Sequence, residues 1–220
     1  MPADASPPNR CRLVLVVPLG LGDGDFPLKL GRALGAGDVA SVILPQGELP
    51  EREFQARAES LVGLAKSHGA AAVLAADRSL AFRLGADGVH VEGGADALRE
   101  AVERAEGKIA VGAGGARTRD EALNLGEARP DYLFFGRFGY DEKPDPHPRN
   151  LSLGQWWAEM INIPAIVMAG SDLASVEAVA ATGVEFAGLC AAVFGEGRDP
   201  AQSVAEANRI LDETGPRWNP

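Results

Sequence analysis

Short apolar runs alternate with amphipathic stretches along the whole chain, and this alternation restricts the fold more than any other feature of the sequence. Most of the runs are apolar on both faces, which is typical of parallel strands covered by helices. The predicted strands cover residues 13–17, 39–44, 71–76, 88–91, 109–112, 131–136, 165–170 and 186–191. The predicted helices cover residues 25–34, 50–68, a short segment that ends at residue 85, 95–105, 118–125, 153–160, 173–181 and 200–214.

Eight strand–helix alternations within 220 residues predict an α/β fold, a single-domain TIM (β/α)8 barrel. An open doubly wound sheet is the alternative, but such sheets usually contain fewer strands. No linker or change in composition marks a second domain. We therefore assign residues 11–214 to the barrel, residues 1–10 to a flexible tail and residues 215–220 to a second tail.

The charge balance of the chain argues against nucleic acid as a partner. Acidic residues number 31 against 21 basic ones, a formal net charge of −10, and the sequence has no cluster of Lys and Arg. The N-terminal residues lack the apolar segment of a signal peptide, and no apolar run is long enough to span a bilayer. We expect a cytoplasmic protein without a membrane partner. Cys11 and Cys190 lie in apolar runs and are expected to be buried free thiols.

In TIM barrels the loops that follow the strands build the functional site, so each strand exit is a candidate. Gly170, after the seventh strand, lets an anion approach the backbone. Ala191 and Ala192 begin a segment after the eighth strand that can form a short helix with free N–H groups. Barrels commonly bind phosphate between these two exits, so the expected partner is a phosphorylated small molecule. A plain tight turn remains the alternative.

Three further exits carry candidate ligand contacts. Gly114 lies in a glycine-rich loop after the fifth strand, where the alternative is a flexible turn. The polar segment 136–150 after the sixth strand is either a lid or an ordinary surface loop, and Lys143 within it is a candidate contact for an anion. His90 ends the fourth strand, where the pattern is consistent with a ligand-facing side chain and equally with a structural histidine.

Several segments resemble one enzyme superfamily in sequence, order and spacing. They are GADGVHVEG (85–93), DYLFFGRF (131–138), KPD (143–145), INIPAIVMAG (161–170) and GVEFAGLCAAVFG (183–195). Together they resemble the thiamine phosphate synthases and the related TenI-type thiazole tautomerases. The resemblance runs from about Leu13 to Leu211, and it implies a TIM barrel of this superfamily.

The resemblance also implies a transferase that joins a pyrimidine diphosphate to a thiazole phosphate and releases pyrophosphate, with Mg²⁺ neutralising the diphosphate. In the family an Asn-Asp pair after the third strand and an Asp after the fourth belong to the metal site. Here the pair falls on Ala75 and Ala76, and the second Asp falls on Ala95. Asp77 and Asp96 are weak candidates that lie out of register. We therefore expect no metal, and Mg²⁺ would be the cofactor only of an active synthase.

Other polar positions of the family's site are also replaced. The Arg and Lys after the second strand fall on Pro45 and Gly47, and the Ser after the eighth strand falls on Ala191. Lys143 keeps the family's Lys after the sixth strand. These replacements predict a divergent paralogue that binds a phosphorylated small molecule with altered or lost catalysis.

Two alternative functions remain open from the sequence. The first is an active synthase whose metal site is rebuilt from Asp77, Glu92 and Asp96. The second is a non-catalytic binding or regulatory protein that uses only the scaffold. A homo-oligomer is compatible with all three functions.

Overall fold

The computed structural model describes residues 8–22 and 24–216 and shows a closed barrel of eight parallel strands in sequence order. Leu15 of the first strand pairs with Leu189 of the last, which closes the barrel. The predicted single-domain TIM barrel is therefore confirmed. The strands are β1 (Arg12–Val16), β2 (Val39–Pro45), β3 (Ala71–Ala75), β4 (Gly88–Val91), β5 (Ala110–Gly114), β6 (Tyr132–Phe135), β7 (Ala165–Met168) and β8 (Phe186–Leu189).

Helices follow the strands around the outside of the barrel, and a 3-10 turn covers Leu19–Leu21. In the described part of the chain, none of the helices is long and apolar enough to cross a membrane. The helices are α1 (Phe26–Leu34), α2 (Glu51–Ser67), α3 (Arg78–Leu84), α4 (Gly94–Ala105), α5 (Arg119–Gly126), α6 (Pro148–Met160), α7 (Ser175–Ala180), α8 (Ala191–Phe194) and α9 (Pro200–Thr214).

The loop after β6 is shorter than the sequence predicts. Helix α6 begins at Pro148, whereas its predicted start was residue 153. His147 caps the helix, since its Nδ1 accepts a hydrogen bond from the N–H of Arg149 at 3.2 Å, and proline suits the first helical position. Arg149 therefore lies in a helix, and the loop ends at His147.

Apolar side chains pack in two layers, one on each side of the strands. In β1 the side chains of Leu13 and Leu15 face the helices, whereas Val14 and Val16 face the barrel interior, because side chains alternate across a strand. The interior layer consists of Val14, Val16, Ile43, Val73, Tyr132, Phe134, Phe138, Ile166, Met168 and Cys190. Cys190 and Cys11 are buried free thiols, as predicted.

A buried arginine at the amino-terminal end of the barrel anchors the chain before β1 to α9. Arg10 is 1% exposed and donates hydrogen bonds to Asp212 (2.8 Å), to Asn208 (2.9 Å) and to the carbonyl of Cys11 (2.8 Å). The assignment of residues 1–10 to a flexible tail is therefore wrong at Arg10, because its guanidinium is anchored to α9. Residues 1–7 and 217–220 lie outside the described residues.

Three acidic residues at the amino-terminal end of the barrel make the same kind of hydrogen bond. Asp87, Asp131 and Glu185 stand immediately before β4, β6 and β8. Each accepts a hydrogen bond from a backbone N–H at the start of the preceding strand, with N···O distances of 2.9, 2.7 and 2.8 Å respectively. These contacts tie neighbouring strands together at the end of the barrel that is away from the predicted site.

Candidate functional site

The carboxyl-terminal mouth of the barrel is filled by an aromatic side chain from the loop between β6 and α6. Phe138 is 6% exposed. Its ring centroid lies 5.1 Å from that of Phe134 and 5.2 Å from that of His90. Aromatic pairs at these separations pack favourably. Phe138 therefore covers the side chains that line the interior just below the mouth.

His90 lies beneath Phe138 with one ring nitrogen unsatisfied. Its Nδ1 is 3.0 Å from the hydroxyl of Tyr132, whereas its Nε2 has no hydrogen-bond partner. No other buried side-chain nitrogen or oxygen in residues 8–22 and 24–216 lacks a partner. Burial lowers the pKa of His90 to about 3, so the ring is neutral at physiological pH.

Two glycines of β5 make room for this pair of side chains. A Cβ on Gly112 would lie 2.0 Å from the Tyr132 ring, and one on Gly114 would lie 2.8 Å from His90 Nε2. His90 and Tyr132 come from strands on either side of β5, so they meet only because β5 carries no side chains at these positions. The predicted site residues His90 and Gly114 are thus neighbours, with Gly114 beside the unsatisfied nitrogen.

The predicted phosphate donors after β7 are already hydrogen-bonded within the protein. The N–H of Gly170 donates to Ser175 Oγ at 3.0 Å. The next two N–H groups, of Ser171 and Asp172, donate to the carbonyls of Lys143 and Pro144 at 2.7 and 3.2 Å. A Cβ on Gly170 would lie 2.0 Å from the carbonyl oxygen of Pro144, so the close approach that glycine allows here is made by the loop after β6.

The predicted donor after β8 is also occupied, and its partner is a carboxylate. The N–H of Ala191, the first residue of α8, donates to Asp141 Oδ2 at 2.6 Å. Asp141 is 6% exposed, and burial raises the pKa of its carboxyl against the lowering effect of the N–H groups of Ala191 and Cys190. The side chain of Ala192 is fully buried, so it belongs to the core.

Lys143 lies near the two exits, but its side chain points to solvent. Its backbone carbonyl accepts the hydrogen bond from Ser171, but its ammonium forms no ion pair with any residue that the structure describes. Arg137, at the start of the same loop, stacks on the ring of Tyr140 at 3.9 Å. Partial burial raises the pKa of Glu92 above its ordinary value, although the positive charge of Arg137 opposes this shift. The loop thus carries two exposed cations, of which Arg137 is already stacked on an aromatic ring.

The two candidate metal ligands are engaged in local contacts. Asp77 caps α3, because its carboxylate accepts a hydrogen bond from the N–H of Ser79 at 2.8 Å. The hydroxyl of Ser79 also donates to this carboxylate, and the two hydrogen bonds lower the pKa of Asp77. Asp96 has a side chain that is 99% exposed and pairs with Arg99 at 2.7 Å. The described residues hold no group of three His, Cys, Asp or Glu side chains that could bind a metal ion. These residues do not fit Mg²⁺, a cation that needs several oxygen ligands together.

Sequence reasoning missed Phe138 and Asp141 at the mouth and Tyr132 in the interior below it. Tyr132 had a detectable signal, since glycines two residues apart in β5 leave the interior open to side chains of both neighbouring strands. Nothing in the sequence distinguishes Asp141 from its exposed neighbours Glu142 and Asp145, because its burial depends on how the loop lies over β7 and β8.

The chain is similar throughout its length to known synthases. A model of the family described as thiamine monophosphate synthase matches residues 13–193. The thiamine-phosphate synthase of Rhodospirillum centenum is 32% identical, over 91% of this chain and 98% of that relative, and the one of Erythrobacter litoralis is 31% identical, over 89% and 94%. The solved thiamine phosphate pyrophosphorylase of Pyrococcus furiosus, 22% identical, superposes with a TM-score of 0.78 over 94% of this chain and 98% of that one. The chain therefore belongs to the thiamine monophosphate synthase family.

Proposed function

We propose that this member of the family binds a phosphorylated small molecule at the exits of β7 and β8, with altered or lost synthase turnover. The observation that carries the proposal is the Asp141 carboxylate against the N–H of Ala191. A buried anion already occupies this donor, and a phosphate oxygen can accept from the same N–H group. The neighbouring N–H groups of Ser171 and Asp172 face the same loop, so displacing it would free three donors together.

The unsatisfied nitrogen of His90 supports a heterocyclic ring as the other part of the ligand. A buried polar atom without a partner costs about 1–3 kcal/mol. A ring nitrogen or amino group of a bound heterocycle would remove this cost by pairing with Nε2. Phe138 covers the position, so the ring of the ligand would take the place of the Phe138 ring against His90.

The positions of the metal ligands support weak or absent turnover. Release of pyrophosphate requires that its charge be neutralised, and Mg²⁺ does this in the synthases that the sequence resembles. Ala76 and Ala95 stand at the two carboxylate positions, and neither can hold a divalent cation. Asp77 and Asp96 are bound to residues of their own helices.

Titration with inorganic phosphate tests the binding part of the proposal. We expect a dissociation constant between millimolar and high micromolar, which corresponds to roughly −4 to −6 kcal/mol. Gly170→Asp should abolish binding, because its carboxylate would stand beside the donors after β7 and repel the anion, and its Cβ would also displace the Pro144 carbonyl. Lys143→Ala should weaken binding less, because its ammonium is a mobile point charge. Equal affinity in all three proteins would show that phosphate binds elsewhere.

The curated names of the relatives favour a second function, an active synthase. Both relatives described above are named thiamine-phosphate synthase. Incubation with the pyrimidine diphosphate, the thiazole phosphate and Mg²⁺ separates the two functions. Mg²⁺-dependent formation of thiamine phosphate at a rate typical of enzymes would establish the synthase. Phosphate binding without turnover would support the divergent paralogue, and that result also fits a binding or regulatory protein.

A further inference from the structure

The segment Gly139–Asp145, which we call the strap, is fastened across the exits of β7 and β8 by four hydrogen bonds. Its backbone carbonyls accept three of them. The carbonyl of Glu142 accepts from Ser171 Oγ (2.9 Å), that of Lys143 from the N–H of Ser171 (2.7 Å) and that of Pro144 from the N–H of Asp172 (3.2 Å). The fourth joins the Asp141 carboxylate to the N–H of Ala191 (2.6 Å).

Two features of the surroundings fit the strap rather than an open site. Gly170 lacks the Cβ that would collide with the Pro144 carbonyl, so the strap lies flat against the exit of β7. Asp141 alone among the acidic residues of the strap is buried, whereas Glu142 and Asp145 are exposed. The buried carboxylate therefore has a defined place in the packing, although it forms no ion pair with any described residue.

The Asp141 contact is the one part of this closure that buries a carboxylate. Burial raises the pKa of the carboxyl, so the folded protein holds the ionised form less favourably than water does. Moving Asp141 outward restores its hydration at the expense of one hydrogen bond. An anion that brings more acceptor oxygens to the Ala191 N–H and to the donors after β7 can replace it.

We infer that the strap is an autoinhibitory closure in which the Asp141 carboxylate competes with the phosphate of a ligand for the exits of β7 and β8. This inference rests on the proposed function, because it takes the phosphate to bind at these exits. The free protein is then closed by its own carboxylate. Binding requires that the strap lift, which weakens the apparent affinity for any phosphorylated ligand.

The test compares phosphate binding by the wild type, Asp141→Ala and Glu142→Ala, measured by calorimetric titration with inorganic phosphate. Both variants lose one carboxylate from the strap, but only Asp141 contacts Ala191, so Glu142→Ala controls for the change in charge. We expect Asp141→Ala to bind phosphate about tenfold more tightly than the wild type. Glu142→Ala should stay within about twofold.

Asp141→Asn provides a conservative variant should the alanine variant not fold. Its amide oxygen can still accept from the Ala191 N–H, although without charge, so its affinity for phosphate should lie between those of the wild type and Asp141→Ala. Measurable binding with the same affinity in the wild type and all the variants would overturn the inference and leave the proposed function intact.

Hydrogen exchange without phosphate separates failure of the inference from failure of the proposed function. The amides of Ser171, Asp172 and Ala191 should exchange several-fold faster in Asp141→Ala than in Glu142→Ala, because the strap no longer protects them. If neither the wild type nor any variant binds phosphate, the proposed function is wrong, and so is the inferred competition between Asp141 and phosphate. Unchanged exchange rates of all three amides in Asp141→Ala would overturn the inference that Asp141 holds the strap closed.

Discussion

The two ends of the barrel differ in how their buried polar groups are satisfied. At the amino-terminal end the carboxylates of Asp87, Asp131 and Glu185 each accept a backbone N–H, and the buried guanidinium of Arg10 is fully engaged. At the carboxyl-terminal end His90 keeps a buried nitrogen without a partner. The first end satisfies its buried polar groups with contacts between neighbouring elements, whereas the second satisfies its backbone donors through a loop and leaves one ring nitrogen without a partner.

The difference also shows in what the carboxylates do. Those at the amino-terminal end connect one strand to the next, so their partners are fixed by the barrel itself. Asp141 instead connects a loop to the start of α8, and its partner is the backbone N–H of Ala191. A contact between strands cannot open without loss of the barrel, but a contact made by a loop can.

The largest expected effect on stability at neutral pH is at the amino-terminal end. Arg10→Met should lower the free energy of unfolding by about 3 kcal/mol, because it removes three hydrogen bonds and leaves Asn208 without its guanidinium partner. Urea denaturation measures the change. Arg209→Ala is the control, since it breaks only exposed pairs on α9 and should have no measurable effect. Equal losses in the two variants would contradict the assignment of stability to this end.

The next effect is a pH dependence that originates at the mouth. The pKa of His90 is lowered to about 3 in the folded protein, so the unfolded chain binds a proton that the folded one does not. His90 should therefore contribute stability above about pH 6.5 that is lost as the pH falls, by about 1.4 kcal/mol per unit down to pH 3. In His90→Gln this contribution is absent. Parallel curves of unfolding free energy against pH in the two proteins would contradict the burial of a neutral histidine.

A smaller effect compares one carboxylate from each end. Asp131→Ala should cost about 1–2 kcal/mol, because the N–H of Val111 loses its acceptor. Asp141→Ala should cost less at pH 7. Since the pKa of Asp141 is raised on folding, its ionised form opposes folding, and that opposition disappears as the pH falls through the folded pKa. Chemical denaturation at pH 7 measures the free energy of unfolding of both variants. A larger decrease in Asp141→Ala than in Asp131→Ala would contradict this prediction.

The smallest effect concerns the thiols, with one at each end. Burial raises the pKa of Cys11 to about 12 and raises that of Cys190 as well, so neither should react appreciably with a thiol reagent in the native protein at pH 8. Asp141→Ala should speed the labelling of Cys190, which adjoins the strap contact, and leave Cys11 unchanged. Mass spectrometry of labelled peptides distinguishes the two sites. Equal acceleration at both would indicate global unfolding instead of local opening.

Much of the mouth could be predicted from the sequence, but its closure could not. His90 was predicted because it ends the fourth apolar run, which fixes its place near the mouth. Gly114 was predicted to lie in a glycine-rich loop after the fifth strand, and this is wrong, because β5 extends to Gly114. Their mutual contact follows from neighbouring strands. The predicted donors at Gly170 and Ala191 lie at the expected exits, yet their N–H groups are taken by Ser175 and Asp141. No local pattern reports that a loop folds back over them.

The sequence by itself determined the barrel and the family. Both depend on local patterns, because apolar runs set the positions of the strands and short motifs carry the similarity to the family. The tertiary structure decided the burial of Asp141 and the anchoring of Arg10, which contact residues 50 and about 200 positions away. Such contacts arise only once the barrel closes, since closure brings distant segments of the chain to the same end and removes water from between them.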